Sequence, residues 1–240
     1  MFKLFTKVRL SVYFYVLLAI YLLVAFLSPK YKFESTALTL FSVNSFLYGF
    51  YISPILGGQK SRIEELHKLV RAESNALFSM MIKLKHIDKK LYKQVDSLVT
   101  SYIRTCIHQK RSGQGELEYE ELIRFCLEYK GKEAAKINTL LEQLVANEAN
   151  RTSISMQLNN KVFANEWWIM YVLFSITLSF VALLDIGSGV FLNIVQALLC
   201  TGLTMLLIIL GKLSSLTHKK AKKIWDPYQK LLDTNYHQID

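Results

Sequence analysis

The chain has 240 residues, 29 of them Lys or Arg and 19 Asp or Glu, for a net charge of +10. Yet 52% of it is hydrophobic and its mean hydropathy is +0.23. The charge is unevenly spread: four stretches hold none and the remainder is dense with it, a contrast that excludes a simple soluble globule. Three prolines and ten glycines exclude collagen-like and proline-rich disordered chains, and three scattered cysteines (Cys106, Cys126, Cys200) exclude a disulfide framework or a zinc ribbon.

The first uncharged run is Leu10–Ser28, preceded by Lys3, Lys7 and Arg9. A basic leader and an apolar run also describe a cleaved signal peptide, but a signal core spans about 7–15 residues and closes on small side chains. Here the run is longer and closes on Phe26, Leu27, Ser28 and Pro29, so a retained helix, TM1, is expected. The second run, Ser35–Gln59, is richer in hydroxyls, contains Asn44 and Pro54, and gives TM2. Trp167–Leu184 and Gly187–Gly211 give TM3 and TM4, divided by the turn around Asp185. Each run approaches the roughly 20 apolar residues that a helix needs to cross hydrocarbon.

Between TM2 and TM3, residues 60–166 show no strand alternation. Ile63, Leu66, Val70, Leu77, Met81 and Leu84 fall at helical spacing and predict that the TM2 helix runs on past the membrane. Asp88 is the expected N-cap of a second helix, whose stripe is Leu91, Val95, Leu98, Val99, Tyr102, Ile103 and Cys106. After the breaker 111–115, Leu117, Leu122, Ile123 and Cys126 predict a shorter helix ended by Gly131. Ile137, Leu140, Leu141, Leu144 and Val145 open a long one, through Arg151, Ile154, Leu158 and Val162, expected to continue unbroken into TM3. The Trp167–Trp168 pair marks the membrane interface there.

The expected fold is therefore an all-α membrane protein: four transmembrane helices with a helical cytoplasmic bundle inserted between TM2 and TM3. Residues 1–59 hold the N-terminus and TM1–TM2, 60–166 the bundle, 167–211 the TM3–TM4 hairpin, and 212–240 a basic tail. Lys and Arg mark the cytoplasmic side of a membrane protein. The leader carries three basic residues and no acid, and the tail six basic residues, while the TM3–TM4 turn carries only Asp185. Four crossings bring both termini to one side, expected to be the cytoplasmic face of a bacterial inner membrane. Residues 60–166 hold 18 basic and 14 acidic residues, too even a balance for a nucleic-acid stripe. In the tail, Lys219, Lys220, Lys222, Lys223 and Trp225 are expected to contact anionic lipid headgroups, with Leu231 and Leu232 extending an amphipathic segment.

Motifs for catalysis are absent: the five histidines are dispersed, and no Walker loop, GxGxxG or GxSxG occurs. No catalytic residue, metal ligand or cofactor is expected, and Glu116, Glu118, Glu120 and Glu121 suit the positive end of a helix dipole. The sequon at Asn150–Thr152 is inert on the cytoplasmic side. More informative are polar residues inside the membrane runs. Asn193, Gln196, Cys200 and Thr204 share one face of TM4, and Ser35, Thr39, Ser42, Ser45 and Gly49 recur similarly in TM2. Unsatisfied polar groups are costly in hydrocarbon, so these faces are expected to meet protein or water.

This layout resembles that of bacterial bestrophin-like membrane proteins. The resemblance runs from about Thr36 to Tyr228. It rests on Phe46, Leu47, Tyr48, Gly49, Phe50 and Tyr51 at the TM2 exit, and on Arg71, Glu73, Ala76 and Leu77 beyond it. It also rests on Arg151 and the Trp167–Trp168 pair before TM3, and on Asp226, Pro227 and Tyr228 after TM4. The chain departs from the family in having Ala164, Asn165 and Glu166 where a proline usually precedes TM3, and in a lysine-rich spacer before Asp226.

Four helices in one copy fill their own centre, so a conduction path needs several copies around an axis. Joined with the resemblance, this leads to the expectation of a homo-oligomeric anion channel lined by TM2, with Ser42, Asn44, Ser45 and Tyr48 as pore-lining candidates and the bundle as a vestibule. A membrane-anchored scaffold whose bundle binds a cytoplasmic protein partner is the alternative.

Overall fold

A computed structural model describes residues 8–87, 89–109, 115–185, 187 and 189–233. In chain order the α-helices are α1 (Leu10–Leu27), α2 (Ser35–Ile87), α3 (Lys89–Gln109), α4 (Glu116–Glu128), α5 (Ala134–Asn159), α6 (Ala164–Leu183), α7 (Val190–Ser214), α8 (Lys219–Lys222) and α9 (Asp226–Asp233). A 3-10 turn, Lys223–Trp225, links the last two. Among the described residues there is no strand, and the chain is all-helical. Four helical segments are long and apolar enough to cross a membrane, beginning at Leu10, at Ser35, in the stretch that ends at Leu183, and at Val190. Asp88, the expected N-cap of α3, lies outside the described residues.

The described residues fall into two compact units. Those up to Ser61 together with Lys161–His218 form the first, and Arg62–Asn160 with those from Lys219 onward form the second. The expected continuity of TM2 with the following helix is observed: α2 is a single helix of 53 residues with Pro54 inside it. The expected continuity into TM3 is not. Helix α5 stops at Asn159, and α6 starts afresh at Ala164.

The reason for the break is visible at each end. In the second unit, the buried Arg62 guanidinium donates to the carbonyl of Gln157 (2.6 Å) and to that of Leu158 (3.0 Å). It thereby satisfies acceptors that the last turn of a helix leaves open and complements the negative end of its dipole. In the first unit, Glu166 reaches back to accept the Phe163 backbone N–H at 2.9 Å, a capping contact that starts α6. Hydrophobic periodicity reports which face is buried, and it passes across such a junction without a signature.

In the first unit, Tyr48 and Ile52 of α2 pack with Val162, Met170 of α6, and Leu207 and Leu210 of α7. Phe180 of α6 stacks on Phe41 of α2 and lies against Phe33. Helix α1 lies along α7, where the Tyr21 hydroxyl meets Thr204 Oγ1 at 2.7 Å. The end of α6 is sealed by polar contacts. Lys30 Nζ donates to the Ala182 carbonyl (3.1 Å) and to Gln196 Oε1 (2.7 Å), and Gln196 Nε2 donates to the carbonyls of Val181, Ala182 and Leu184. A short backbone bridge between Tyr31 and Leu184 lies beside them.

In the second unit, α2 contributes Leu66, Val70, Leu77, Met80, Met81 and Leu84, and α3 contributes Leu91, Val95, Val99 and Ile103. Tyr119 and Leu122 of α4 and Ile137, Leu140 and Leu144 of α5 complete the core. Gly115 begins α4 at φ +87°, and a Cβ there would come within 2.8 Å of the Tyr102 ring, so only glycine fits both the backbone and the space. Residues 219–233 are part of this unit: Ala221, Ile224, Tyr228 and Leu231 are buried in it. Residues 219–233 of the expected tail thus belong to a folded element.

Replacing Gln196 with Leu removes a side chain that is 2% exposed, takes one acceptor from the Lys30 ammonium, and leaves the Val181 and Leu184 carbonyls without its amide. We expect a loss of about 1–3 kcal/mol, the usual cost of orphaned buried polar groups, measured as thermal or SDS unfolding of the protein in detergent micelles. Lys30→Met should cost less, because Gln196 can still satisfy the carbonyls.

Candidate functional site

The four residues expected to line a pore, Ser42, Asn44, Ser45 and Tyr48, do not all face outward. Asn44 is turned toward α6, where its Nδ2 donates to the Leu173 carbonyl (3.1 Å) and to Thr177 Oγ1 (2.8 Å). Tyr48 is buried in the first unit, with its hydroxyl directed at the Leu203 carbonyl of α7 at 3.5 Å. The Ser45 hydroxyl is buried without a hydrogen-bond partner. Only Ser42 of the four is exposed, its hydroxyl bonded back to the Leu38 carbonyl. Asn44 and Tyr48 therefore tie helices of one copy together.

The outward side of α2 carries Ser35, Thr39, Ser42 and Gly49 of the five residues expected to share one face, while Ser45 is turned partly inward. Ser35, Thr39, Ser42, Gly49, Ser53 and Gly57 are all exposed and recur at spacings of three, four and seven, so they line one stripe. Beside it lie exposed Leu40, Val43, Leu47 and Phe50, and Phe46 interrupts it. On α7, Gln196 and Thr204 are engaged as described, Cys200 is buried, and Asn193 is partly exposed in the first turn.

Of the residues expected at lipid headgroups, Lys219, Lys222 and Lys223 are exposed, and Trp225 is half-buried with its ring 5.9 Å from Tyr228. The Lys220 side chain lies outside the described residues.

The most concentrated chemistry lies in the second unit around Glu73, which is fully buried. Tyr102 of α3 donates its hydroxyl to Glu73 Oε1, and Tyr228 of α9 donates to Oε2 at 2.5 Å. Arg151 of α5 donates from Nε to the Tyr102 oxygen (3.2 Å) and pairs through Nη1 with Glu148 (2.8 Å). Its guanidinium lies 3.9 Å from the centre of the Tyr119 ring and 5.4 Å from that of Tyr102. Tyr119 in turn donates to the Leu144 carbonyl and accepts from Asn147. A cavity of about 200 Å³ opens beside the cluster, lined by Glu73, Tyr102, Cys106, Arg151, Trp225 and Tyr228 among others.

Burial pushes the Glu73 carboxyl above the ordinary carboxylate range, against the opposing pull of the two phenol hydrogen bonds and the Arg151 charge. Burial, and then Glu73 itself, hold both phenols well above their ordinary value. The Cys106 thiol is pushed up to about 12 by burial and by Glu73. The phenols and the thiol stay protonated at neutral pH, so the site offers carboxyl groups, hydrogen-bond donors and one guanidinium.

Neither Glu73 nor Arg151 stands out by charge in a helix dense with charge. The available signal is position: Glu73 interrupts the buried series Leu66, Val70, Leu77 at helical spacing, and Arg151 interrupts Leu140, Leu144, Ile154, Leu158. An ionisable residue at a core position of an amphipathic helix must find a buried partner.

The architecture defines a helical membrane protein whose second unit is organised around a buried carboxyl cluster. The profile of the Bestrophin-like domain matches residues 11–214, and the chain belongs to the bestrophin-like family. No curated protein and no solved structure shows significant similarity to it.

The Arg151 side chain is largely buried, so Arg151→Ala should destabilise the protein by about 2–4 kcal/mol, through the lost stacking and the phenol and carboxylate left without it. Arg151→Lys should recover less than half of that, because an ammonium cannot lie flat on Tyr119 while reaching Tyr102 and Glu148. Thermal melts of the purified protein followed by circular dichroism test both.

Proposed function

We propose that this bestrophin-like protein is a homo-oligomeric ion channel with anion preference, in which α2 lines the conduction path. The observation that carries this reading is the exposed stripe Ser35, Thr39, Ser42, Gly49, Ser53 and Gly57 on a helix apolar enough to span the membrane. A stripe of hydroxyls and bare backbone gains little from hydrocarbon, whereas it suits the approach of a second copy or a column of water. No acidic side chain lies on this stripe to favour cations. Asn44, Ser45 and Tyr48 then support the lining helix from behind, and Ser42 belongs to the lining.

The distribution of Lys and Arg supports an inner-membrane protein with both termini and residues 62–160 on the cytoplasmic side. Exposed Lys219, Lys222 and Lys223 suit anionic headgroups on that side. A membrane-anchored scaffold is the second reading. It is favoured by the exposed apolar side chains Leu117, Leu127, Val145 and Met156 of the second unit, which a cytoplasmic protein partner would cover.

Purified protein in liposomes should release chloride down its gradient and migrate as an oligomer on cross-linking. Ser42→Phe should reduce the flux at least fivefold without changing the melting temperature, whereas Asn44→Ala should lower the melting temperature first. A well-folded preparation that passes no anion overturns the channel reading in favour of the scaffold.

A further inference from the structure

The described segment after TM4, residues 219–233, is short. From Lys219 to Asp233 it buries Ala221, Ile224, Tyr228 and Leu231, while Lys222, Lys223, Gln229 and Asp233 remain exposed. Hydrogen bonds to two adjacent residues of α2 join it to that helix. Ser74 Oγ donates to the Pro227 carbonyl at 3.1 Å, and the Tyr228 hydroxyl donates to Glu73 Oε2 at 2.5 Å. The Glu73 carboxyl is thus shared between α3, through Tyr102, and the C-terminal segment, through Tyr228. When α9 leaves, the cover over that carboxyl leaves with it and the adjoining cavity opens to water. We propose that residues 219–233 form a latch closed on the Glu73 carboxyl, whose docking weakens as pH rises above the ordinary carboxylate range.

The sign follows from what each state does to the proton. In the closed state burial holds the Glu73 pKa above its ordinary value of 4.5, so the closed form binds a proton more tightly than the open form, where water reaches the carboxyl. The contribution of the proton to closure is complete below about 4.5 and is lost as pH climbs through the raised value. The charged and titratable groups facing Glu73 are Tyr102 and Cys106 from α3, Glu148 and Arg151 from α5, and Tyr228 from α9. Glu116 from α4 lines the same cavity. Tyr102, Tyr228 and Cys106 all stay protonated across this window, and Arg151 is shared with Glu148. Glu73 is the titratable group of the cluster to which the segment donates a hydrogen bond.

The test is hydrogen–deuterium exchange of the full-length protein in detergent or nanodiscs, followed on peptides covering 221–233 and corrected for the intrinsic pH dependence of exchange. In the native protein, corrected exchange of this segment should rise at least fivefold between pH 5 and pH 8, while peptides from α3 and α5 stay protected. Glu73→Gln, a neutral mimic of the protonated carboxyl, should flatten that rise. Tyr228→Phe should raise exchange at pH 5 by a similar factor, and it keeps the test intact should the Glu73 variant fail to fold. A segment equally protected at both pH values, a pH response unchanged in Glu73→Gln, or a Tyr228→Phe protein as protected as the native one each overturns the latch.

Discussion

One buried carboxyl group organises the second unit. Glu73 is fully buried, and an isolated carboxylate in such surroundings would be prohibitive unless neutralised or hydrogen-bonded. The chain meets this constraint with two phenols, one from α3 and one from α9, and with Arg151 one bond further out. Each partner brings its own obligations. Arg151 needs Glu148 and the face of Tyr119, and Tyr119 needs the Leu144 carbonyl and Asn147. Following those obligations outward touches α2, α3, α4, α5 and α9, every major helix of the unit. Polar networks of this kind gain their selectivity from being fully satisfied, because a competing arrangement that leaves one member unpaired is heavily penalised.

The first unit answers the same rule in a different solvent. In hydrocarbon the backbone satisfies itself inside helices, and the places needing attention are helix ends and inward polar side chains. Lys30 and Gln196 close the end of α6, Tyr21 and Thr204 join α1 to α7, and Asn44 joins α2 to α6. Once these contacts are made, the exposed hydroxyls and glycines of α2 are what remains. That remainder gives α2 two outward characters, a small polar stripe and an adjacent apolar one, and the proposed conduction path rests on the first of them.

The four membrane runs and the amphipathic helices were legible because each is a matter of one-dimensional pattern: charge depletion over the length of a bilayer, or apolar recurrence at helical spacing. The grouping of Ser42, Asn44, Ser45 and Tyr48 was less so. Pattern places these residues within half a turn or so of one another, but it does not say which edge of that arc meets α6 and α7. The break between α5 and α6 was likewise silent, since it depends on Arg62 reaching the last carbonyls of α5 from a residue nearly a hundred positions away. The basic tail read as a surface anchor because its lysines dominate locally. Its four buried side chains were present in the sequence, but they have meaning only opposite the groove that receives them.

The sequence by itself determined that this is an all-helical membrane protein of the bestrophin-like family, with a charged helical insertion in mid-chain. Hydropathy and periodicity are sums over neighbours in the chain, and they survive without any knowledge of contacts. Tertiary structure alone decided which polar residues hold helices together and which face outward, where α5 ends, and that Glu73, Tyr102, Arg151 and Tyr228 form one cluster. Those four residues are spread over more than 150 positions. Their meeting depends on the packing of α2, α3, α5 and α9, because a buried charge is defined by what surrounds it and not by what precedes it.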